Sequence, residues 1–230
     1  MERISANLEE IRNRIYSAAR RGGRVPERVR LVAVSKKVPI EMLHEAYNCG
    51  QCLFGENYLQ EAEAKIARLG PGFEWHFIGH LQSNKAAQAA DLFDLVETVD
   101  RLKVATALDR SLSASGRVLP VLLQVNIGRE PQKSGVWPEE AEGLLRQLKM
   151  LPNLLVRGLM IMPPFLDEAE AVRPFFRSTR ELAARLADQG LLPPATEAEL
   201  SMGMSGDYEV AIEEGATLVR VGTALFGARK

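Results

Sequence analysis

A lysine at the end of a buried strand is a candidate nucleophile, and Lys36 has that setting. It follows Leu31-Val32-Ala33-Val34-Ser35, and the two-residue alternation of a strand puts Val32, Val34 and Lys36 on one face. If that face points inward, desolvation favours the neutral amine, which can form a Schiff base with an aldehyde. A strand-end lysine that simply reaches solvent, as neighbouring Lys37 is expected to do, is the other reading. A second cluster lies far along the chain. Ser201-Met202-Gly203-Met204-Ser205-Gly206 joins a strand to a helix whose first N–H groups can meet an anion. Gly222-Thr223 adds a close-approaching backbone and a hydroxyl. Ordinary N-capping by Ser205 and a tight turn at Gly222 account for the same residues without a ligand. Asp207 suits the helix dipole but would repel a phosphate if turned inward. A strand-end amine and two such loops together describe a slot for an aldehyde that carries a phosphate, and pyridoxal phosphate is the obvious occupant. Arg220 shares one strand face with Leu218 and Gly222. Always charged, it would keep a neighbouring pyridine nitrogen unprotonated and so weaken the ring as an electron sink. An arginine paired with a carboxylate at the rim is the plain alternative.

These residues need a frame that brings both ends of the chain together. Residues 2–21 carry Ile4, Leu8, Ile11, Ile15 and Ala18 at helical spacing, and Gly22-Gly23 ends that helix. Short apolar runs then alternate with helical stretches. Strands are expected at 30–35, 52–56, 74–79, 92–98, 119–126, 154–161, 198–202 and 217–221. Helices are expected between them at 39–48, 58–68, 84–90, 101–114, 138–150, 167–188 and 207–214. Parallel neighbours need crossovers of this kind. Eight units favour closure, so the fold class is α/β, a single (β/α)₈ TIM-type barrel with an extra N-terminal helix, forming one domain over 1–230. An open doubly wound sheet is the competitor, weakened because Ser35-Lys36-Lys37-Val38-Pro39 stands where a G-x-G-x-x-G would follow strand one. In such a barrel, function gathers at the strands' C-terminal ends. That rule selects Lys36, Glu56-Asn57, Gly79-His80, Asn126, the 201–206 loop and Arg220.

The bulk composition narrows the partners. The 230 residues are 46% hydrophobic and 26% charged with a net charge of −1, so one sizeable core is affordable and no general field attracts nucleic acid or anionic lipid. No apolar run reaches the ~18 residues of a membrane span, and the first residues open a charged helix, not a signal peptide. A soluble, cytoplasmic protein is expected. Cys49 and Cys52 form a C-x-x-C without a second pair, a poor zinc site, and read as two small, partly buried thiols at a helix-to-strand turn in a reducing compartment. No metal is expected.

The same segments carry a family likeness. Leu31-Val-Ala-Val-Ser-Lys36, Phe54-Gly-Glu-Asn57, Trp75-His-Phe-Ile-Gly-His-Leu-Gln-Ser-Asn-Lys85, Gly158-Leu-Met-Ile-Met162, Leu200-Ser-Met-Gly-Met-Ser-Gly-Asp207 and Val219-Arg-Val-Gly-Thr-Ala-Leu-Phe-Gly227 run in order through almost the whole chain. As a set they resemble the pyridoxal phosphate homeostasis proteins, relatives of the alanine racemase barrel domain. The resemblance implies that Lys36 carries pyridoxal 5′-phosphate as an internal aldimine. It also implies that Arg220 approaches the ring nitrogen and that Ser205, Gly222 and Thr223 bind phosphate, while Asn57, His80 and Met202 line the ring pocket. His80 has a plain alternative as a hydrogen-bonded strand-end residue. His76 is expected to pack on the helix side and His44 on a helix surface. The sequence departs from the family where many relatives carry a second basic residue two places after the aldimine lysine. Val38 stands there, and any regulatory or transfer role of that residue is in doubt. Lys133 is a second amine that reads either as a passing acceptor or as a solvated surface lysine.

Three activities fit a phosphate slot with a strand-end lysine: holding and delivering the cofactor, a racemase-type reaction, and a cofactor-free aldolase acting on a sugar phosphate. Racemisation needs acid–base groups on both faces of the substrate carbon. In alanine racemases a second-domain tyrosine serves one face. Here only Thr223 to Lys230 follow the eighth strand, and Tyr58 and Tyr208, at helix starts, are the candidates nearest the mouth. The expectation is therefore a carrier with no catalytic residue, a monomer, whose clients are apo-enzymes that use vitamin B6.

Overall fold

The computed structural model describes residues 2–228. Helix α1, Glu2–Arg21, precedes a regular alternation. The strands are β1 Arg30–Val34, β2 Leu53–Glu56, β3 Glu74–Phe77, β4 Leu95–Val99, β5 Leu119–Val125, β6 Leu154–Ile161, β7 Glu199–Ser201 and β8 Leu218–Val221. The helices between them are α2 Ile40–Asn48, α3 Leu59–Leu69, α4 Ala86–Leu92, α5 Leu102–Leu112, α6 Ala141–Leu148, α7 Ala169–Asp188 and α8 Tyr208–Glu213, with a last short helix, α9 Thr223–Phe226, after β8. All neighbouring strands pair in parallel and β8 returns to β1, closing the expected barrel and eliminating the open sheet.

Two layers of side chains follow from strand alternation. Outward residues such as Phe54, Trp75, Phe77, Val121, Leu123, Leu159 and Leu200 pack beneath the helices in one continuous core. Inward, a small cluster of Val32, Leu53, Leu95, Leu122, Met160 and Leu218 fills the barrel. Helix α1 buries Ile4, Leu8, Ile11, Ile15 and Ala18 as its spacing requires and packs against α2, α8 and α9. Arg14 and Arg21 pair with Glu209 and Glu213 along that seam.

Three local expectations are corrected. The fourth strand begins at Leu95, not 92, because Leu92 completes α4 and Phe93 is buried at its C-cap. Residues 223–226, to which the sequence reading assigns no element, form α9. Cys52 is exposed whereas Cys49 is half-buried, both as free thiols. Among the described residues no helix is long and apolar enough to cross a membrane, and no cluster of His, Cys, Asp and Glu could hold a metal ion.

Candidate cofactor-binding site

The C-terminal ends of β1, β2, β6, β7 and β8 surround a cavity of about 530 Å³, within the size range of cofactor sites. Lys36, half-buried, enters it from the turn after β1. That turn is held from behind. Ser35 Oγ donates to Glu56 Oε1 at 2.7 Å, and Lys65 Nζ donates to Glu56 Oε1, to the Ser35 carbonyl and to Glu61 Oε1 at 2.6, 2.6 and 2.7 Å. Lys37 takes a left-handed φ of 57° and donates its backbone N–H to Glu61 Oε1 at 2.5 Å. Its own side chain is exposed, as expected, so the turn sends Lys36 and Lys37 apart. Glu56 is fully buried on the helix side of β2, and burial raises its pKa against the opposing pull of Lys65. Sequence reasoning passed over Lys65. The available signal was its i,i+4 spacing from Glu61.

The other two strand-end loops meet across the cavity. Gly203, with φ +93°, turns the chain after β7, and a β-carbon there would lie 2.6 Å from Ala211 Cβ and 2.9 Å from Tyr208 Cα. Asp207 Oδ1 accepts the Met204 N–H at 2.6 Å and closes the loop on itself. Asp207 lines the cavity, and burial raises its pKa against that bond. Ser205 does not cap α8. Its Oγ accepts Thr223 Oγ1–H at 3.2 Å and the Gly222 N–H at a long 3.4 Å. Two hydroxyls and a loosely held glycine N–H thus stand together at one wall of the cavity, suited to anion oxygens.

Arg220 lines the same cavity yet is only 4% exposed. Its Nη2 donates to the Ile161 carbonyl at 2.8 Å and its Nη1 to Ser201 Oγ at 2.6 Å. Burial lowers its pKa, opposed by Glu97 and Asp207. Ser201 in turn contacts Glu97 Oε2 at 2.5 Å, and Glu97 Oε1 lies 2.8 Å from His76 Nδ1. His76 therefore faces into the barrel, correcting its expected place on the helix side. Trp75 and Phe77 take the outward positions of β3 instead. Glu97, inside β4, was not singled out from sequence, because a glutamate in an apolar run carries no mark of the face it occupies.

Of the residues expected around the cofactor, Lys36, Asn57, Ser205, Arg220, Gly222 and Thr223 line this cavity, and Asn57 keeps a buried Oδ1 with no hydrogen-bond partner. Two residues lie elsewhere. Met202 alternates outward after Ser201 and is fully buried in the helix-side core, leaving Met204 at the cavity wall. His80 is exposed, 3.0 Å from Ser134 Oγ, in a neighbouring depression with Tyr58 and Lys85. Tyr208 is buried beneath Arg14 of α1, so neither tyrosine lines the cavity. The loop after β6, with Met162, Pro164, Phe165 and Leu166, walls the cavity and was not anticipated. Lys133 is no freely solvated lysine: it pairs with Glu130 and donates to the Pro163 carbonyl of that loop at 2.8 Å. His44 is exposed on α2 as expected.

Residues 2–230 match the family model of the alanine racemase N-terminal domain. The chain is 46% identical over 233 residues to the pyridoxal phosphate homeostasis protein of Escherichia coli K12, covering 100% of this chain and 98% of the relative. It is 47% identical over 230 residues to that of Pseudomonas aeruginosa, covering 100% and 97%. The solved structure of PipY from Synechococcus elongatus with PLP bound superposes with a TM-score of 0.85 at 40% identity, over 97% of this chain and 100% of that one. Alanine racemase of Clostridium difficile, at 15% identity and a TM-score of 0.76, shares the barrel over 99% of this chain and 57% of its own length.

Proposed function

The chain belongs to the alanine racemase N-terminal domain family and, within it, to the pyridoxal phosphate homeostasis proteins, and from that membership we propose that it binds pyridoxal 5′-phosphate and serves in its intracellular homeostasis. The observation that carries the reading is that Lys36, Arg220 and the Ser205–Gly222–Thr223 group line one cavity. The residues fit the cofactor: an amine for its aldehyde, hydroxyls and a glycine N–H for its phosphate, and a cation for its ring nitrogen. The unpartnered Asn57 Oδ1 offers an acceptor beside them. When bound, the cofactor supplies an aldehyde and an electron-accepting ring. Lys36 holds it, Ser205, Gly222 and Thr223 fix the phosphate, and Arg220 keeps the ring nitrogen without a proton and the ring a poor electron sink.

Binding and delivery, rather than turnover, is the part of the proposal that goes beyond family membership. Racemase-type chemistry needs a second positioned acid–base group opposite Lys36, and neither Tyr58 nor Tyr208 lines the cavity. The reading further takes the protein as a cytoplasmic monomer that hands the cofactor to apo-enzymes.

An absorbance spectrum of the purified protein, before and after borohydride, tests the core of this. We expect a near-visible band that borohydride bleaches, with a pyridoxyl group mapped to Lys36 and lost in Lys36→Ala. A protein that stays colourless with added cofactor, or a label on another lysine, overturns the assignment. Rapid turnover of a free amino acid by the loaded protein would replace the carrier by an enzyme.

A further inference from the structure

A chain of hydrogen-bonded ionisable groups runs through the barrel from the cofactor cavity towards its opposite end. Arg220 meets Ser201 at 2.6 Å, Ser201 meets Glu97 at 2.5 Å, Glu97 meets His76 at 2.8 Å, and His76 Nε2 meets Glu74 Oε1 at 3.2 Å. Arg30 pairs with Glu74 at the far end, where both line a separate depression. Arg220 lines the cofactor cavity at the near end. His76, Glu97 and Ser201 are fully buried.

With Glu97 and Glu74 ionised, the direction of every bond in the column follows. A guanidinium only donates, so Ser201 Oγ accepts from Arg220 and must spend its single hydrogen on Glu97. Glu97, acting only as acceptor, takes the Ser201 proton on one oxygen and the His76 Nδ1–H on the other. Facing carboxylates through both nitrogens, the His76 ring is an imidazolium. The column then reads as alternating charges: Arg220 positive, Glu97 negative, His76 positive, Glu74 negative. Burying one such charge without its neighbours is costly, and burying all of them in register lets each repay the next.

We propose that Ser201, Glu97 and His76 are positioning residues for Arg220: they aim its guanidinium into the cavity and set how much of its positive charge the bound ring nitrogen feels. The inference rests on the cofactor reading above. The Ile161 carbonyl holds the second arm of the fork at 2.8 Å, so Arg220 is gripped on two sides and cannot rotate without breaking both. Of the carboxylates acting on Arg220, Glu97 reaches it through Ser201, while Asp207 lies at the cavity side. Around Glu97 stand His76, Arg220 and Ser201, and around His76 stand Glu74 and Glu97. Glu199, at the start of β7, feels Arg157, His76, Arg30 and Glu97. Among the described residues, Glu97 is therefore the sole carboxylate joined to Arg220 by a hydrogen-bonded bridge.

The test is spectroscopic. Glu97→Gln keeps the shape and removes the charge, and Ser201→Ala cuts the bridge while leaving the Glu97–His76 pair in place. The ring then faces a less compensated guanidinium. We expect both variants, loaded with the cofactor, to shift the pH midpoint of the bound chromophore's absorbance downwards by about one unit or more, a tenfold change in the equilibrium read. Lys36 should still be labelled with borohydride. If Glu97→Gln fails to fold, Ser201→Ala carries the test alone. A folded variant that takes up the cofactor with the wild-type midpoint overturns the positioning role and leaves the cofactor reading intact. Absence of any band in the wild type overturns the cofactor reading, and this inference with it.

Discussion

His76 Nδ1 lies 2.8 Å from Glu97 Oε1 in the middle of the barrel, both side chains without solvent exposure. Burial alone would strip His76 of its proton, but hydrogen bonds to Glu74 and Glu97 outweigh it and raise the pKa from 6.5 to about 9. Glu74 is pulled the other way, to about 2, chiefly by its bond to His76. A histidine whose folded value exceeds its unfolded one stabilises the protein fully below pH 6.5, and that contribution is lost as pH rises through about 9. The protein should therefore lose stability on the alkaline side, by up to about 3 kcal/mol from this group. Thermal unfolding between pH 6 and 10 (roughly the window of a histidine so raised) should show a falling midpoint in the wild type. His76→Gln should start lower and stay flat. A wild-type midpoint flat across that window would mean that His76 is neutral in the folded state. On the acid side, Glu74 contributes above pH 4.5 and its share fades as pH drops towards 2.

Lys65 clamps the turn that presents Lys36, and its removal should be felt both in stability and at the cofactor. Its Nζ bridges Ser35, Glu56 and Glu61, and Glu56 already has one oxygen, Oε2, without a partner. Lys65→Met leaves the buried Glu56 carboxylate uncompensated and should cost about 3–5 kcal/mol. The double variant Glu56→Gln with Lys65→Met should recover a large part of that. Urea midpoints of the two proteins give the comparison. A single variant as stable as the wild type would show the pair to be dispensable. Borohydride labelling of Lys36 should also fall in the single variant, because the Ser35 carbonyl then keeps only the Val38 N–H of its two donors.

The alternation of apolar runs and helices was enough to read a closed eight-stranded barrel, because each βα unit carries its own local signal. The amine at the first strand end and the hydroxyl loops at the last two were legible for the same reason: strand ends are where a barrel works. What the pattern could not supply was phase. A one-residue shift exchanges inside for outside, so His76 was assigned to the helix side, whereas Met202 was placed at the pocket by the family likeness alone and alternates outward. Ser201, between Leu200 and Met202, is the residue that turns inward. Glu97 and Lys65 escaped because a buried charge is identified by its partners, and His76 and Glu56 are 21 and nine residues away in sequence. The loop from Met162 to Asp167 lacks periodicity altogether, so its place on the cavity wall came only with the fold.

Gly203 sets the entry into the hydroxyl loop. Its φ of +93° and the 2.6 Å approach of a β-carbon to Ala211 Cβ leave no room for a side chain. Gly203→Ala should lower stability by about 1–3 kcal/mol and weaken cofactor uptake, since Ser205 sits two residues on. Thermal unfolding with and without inorganic phosphate separates the two effects. A variant that retains wild-type stability would show that the loop can re-form without the left-handed turn. Retained stability with lost protection by phosphate would place the defect at the anion alone.

Asp207 presents the opposite case, a side chain that the fold uses and the anion should not want. Its Oδ1 accepts the Met204 N–H at 2.6 Å, and an asparagine oxygen can accept the same bond, so Asp207→Asn should keep the loop closed. The carboxylate also lines the cavity beside Ser205, Gly222 and Thr223, where a second negative charge opposes a phosphate. Removing it should tighten binding of inorganic phosphate and of the cofactor by about two- to fivefold, the size of a partly screened charge interaction. Burial raises the Asp207 pKa above its usual 3.8, so the wild-type carboxyl is neutralised earlier on acidification than an exposed aspartate. The advantage of the variant should accordingly be full at neutral pH and shrink as the solution becomes acidic. Titration with inorganic phosphate at two pH values, followed by competition with pyridoxal phosphate, measures this directly. Weaker binding by a variant of unchanged melting temperature would mean that Asp207 assists the anion, as a protonated donor would, and would reverse the electrostatic account of this wall.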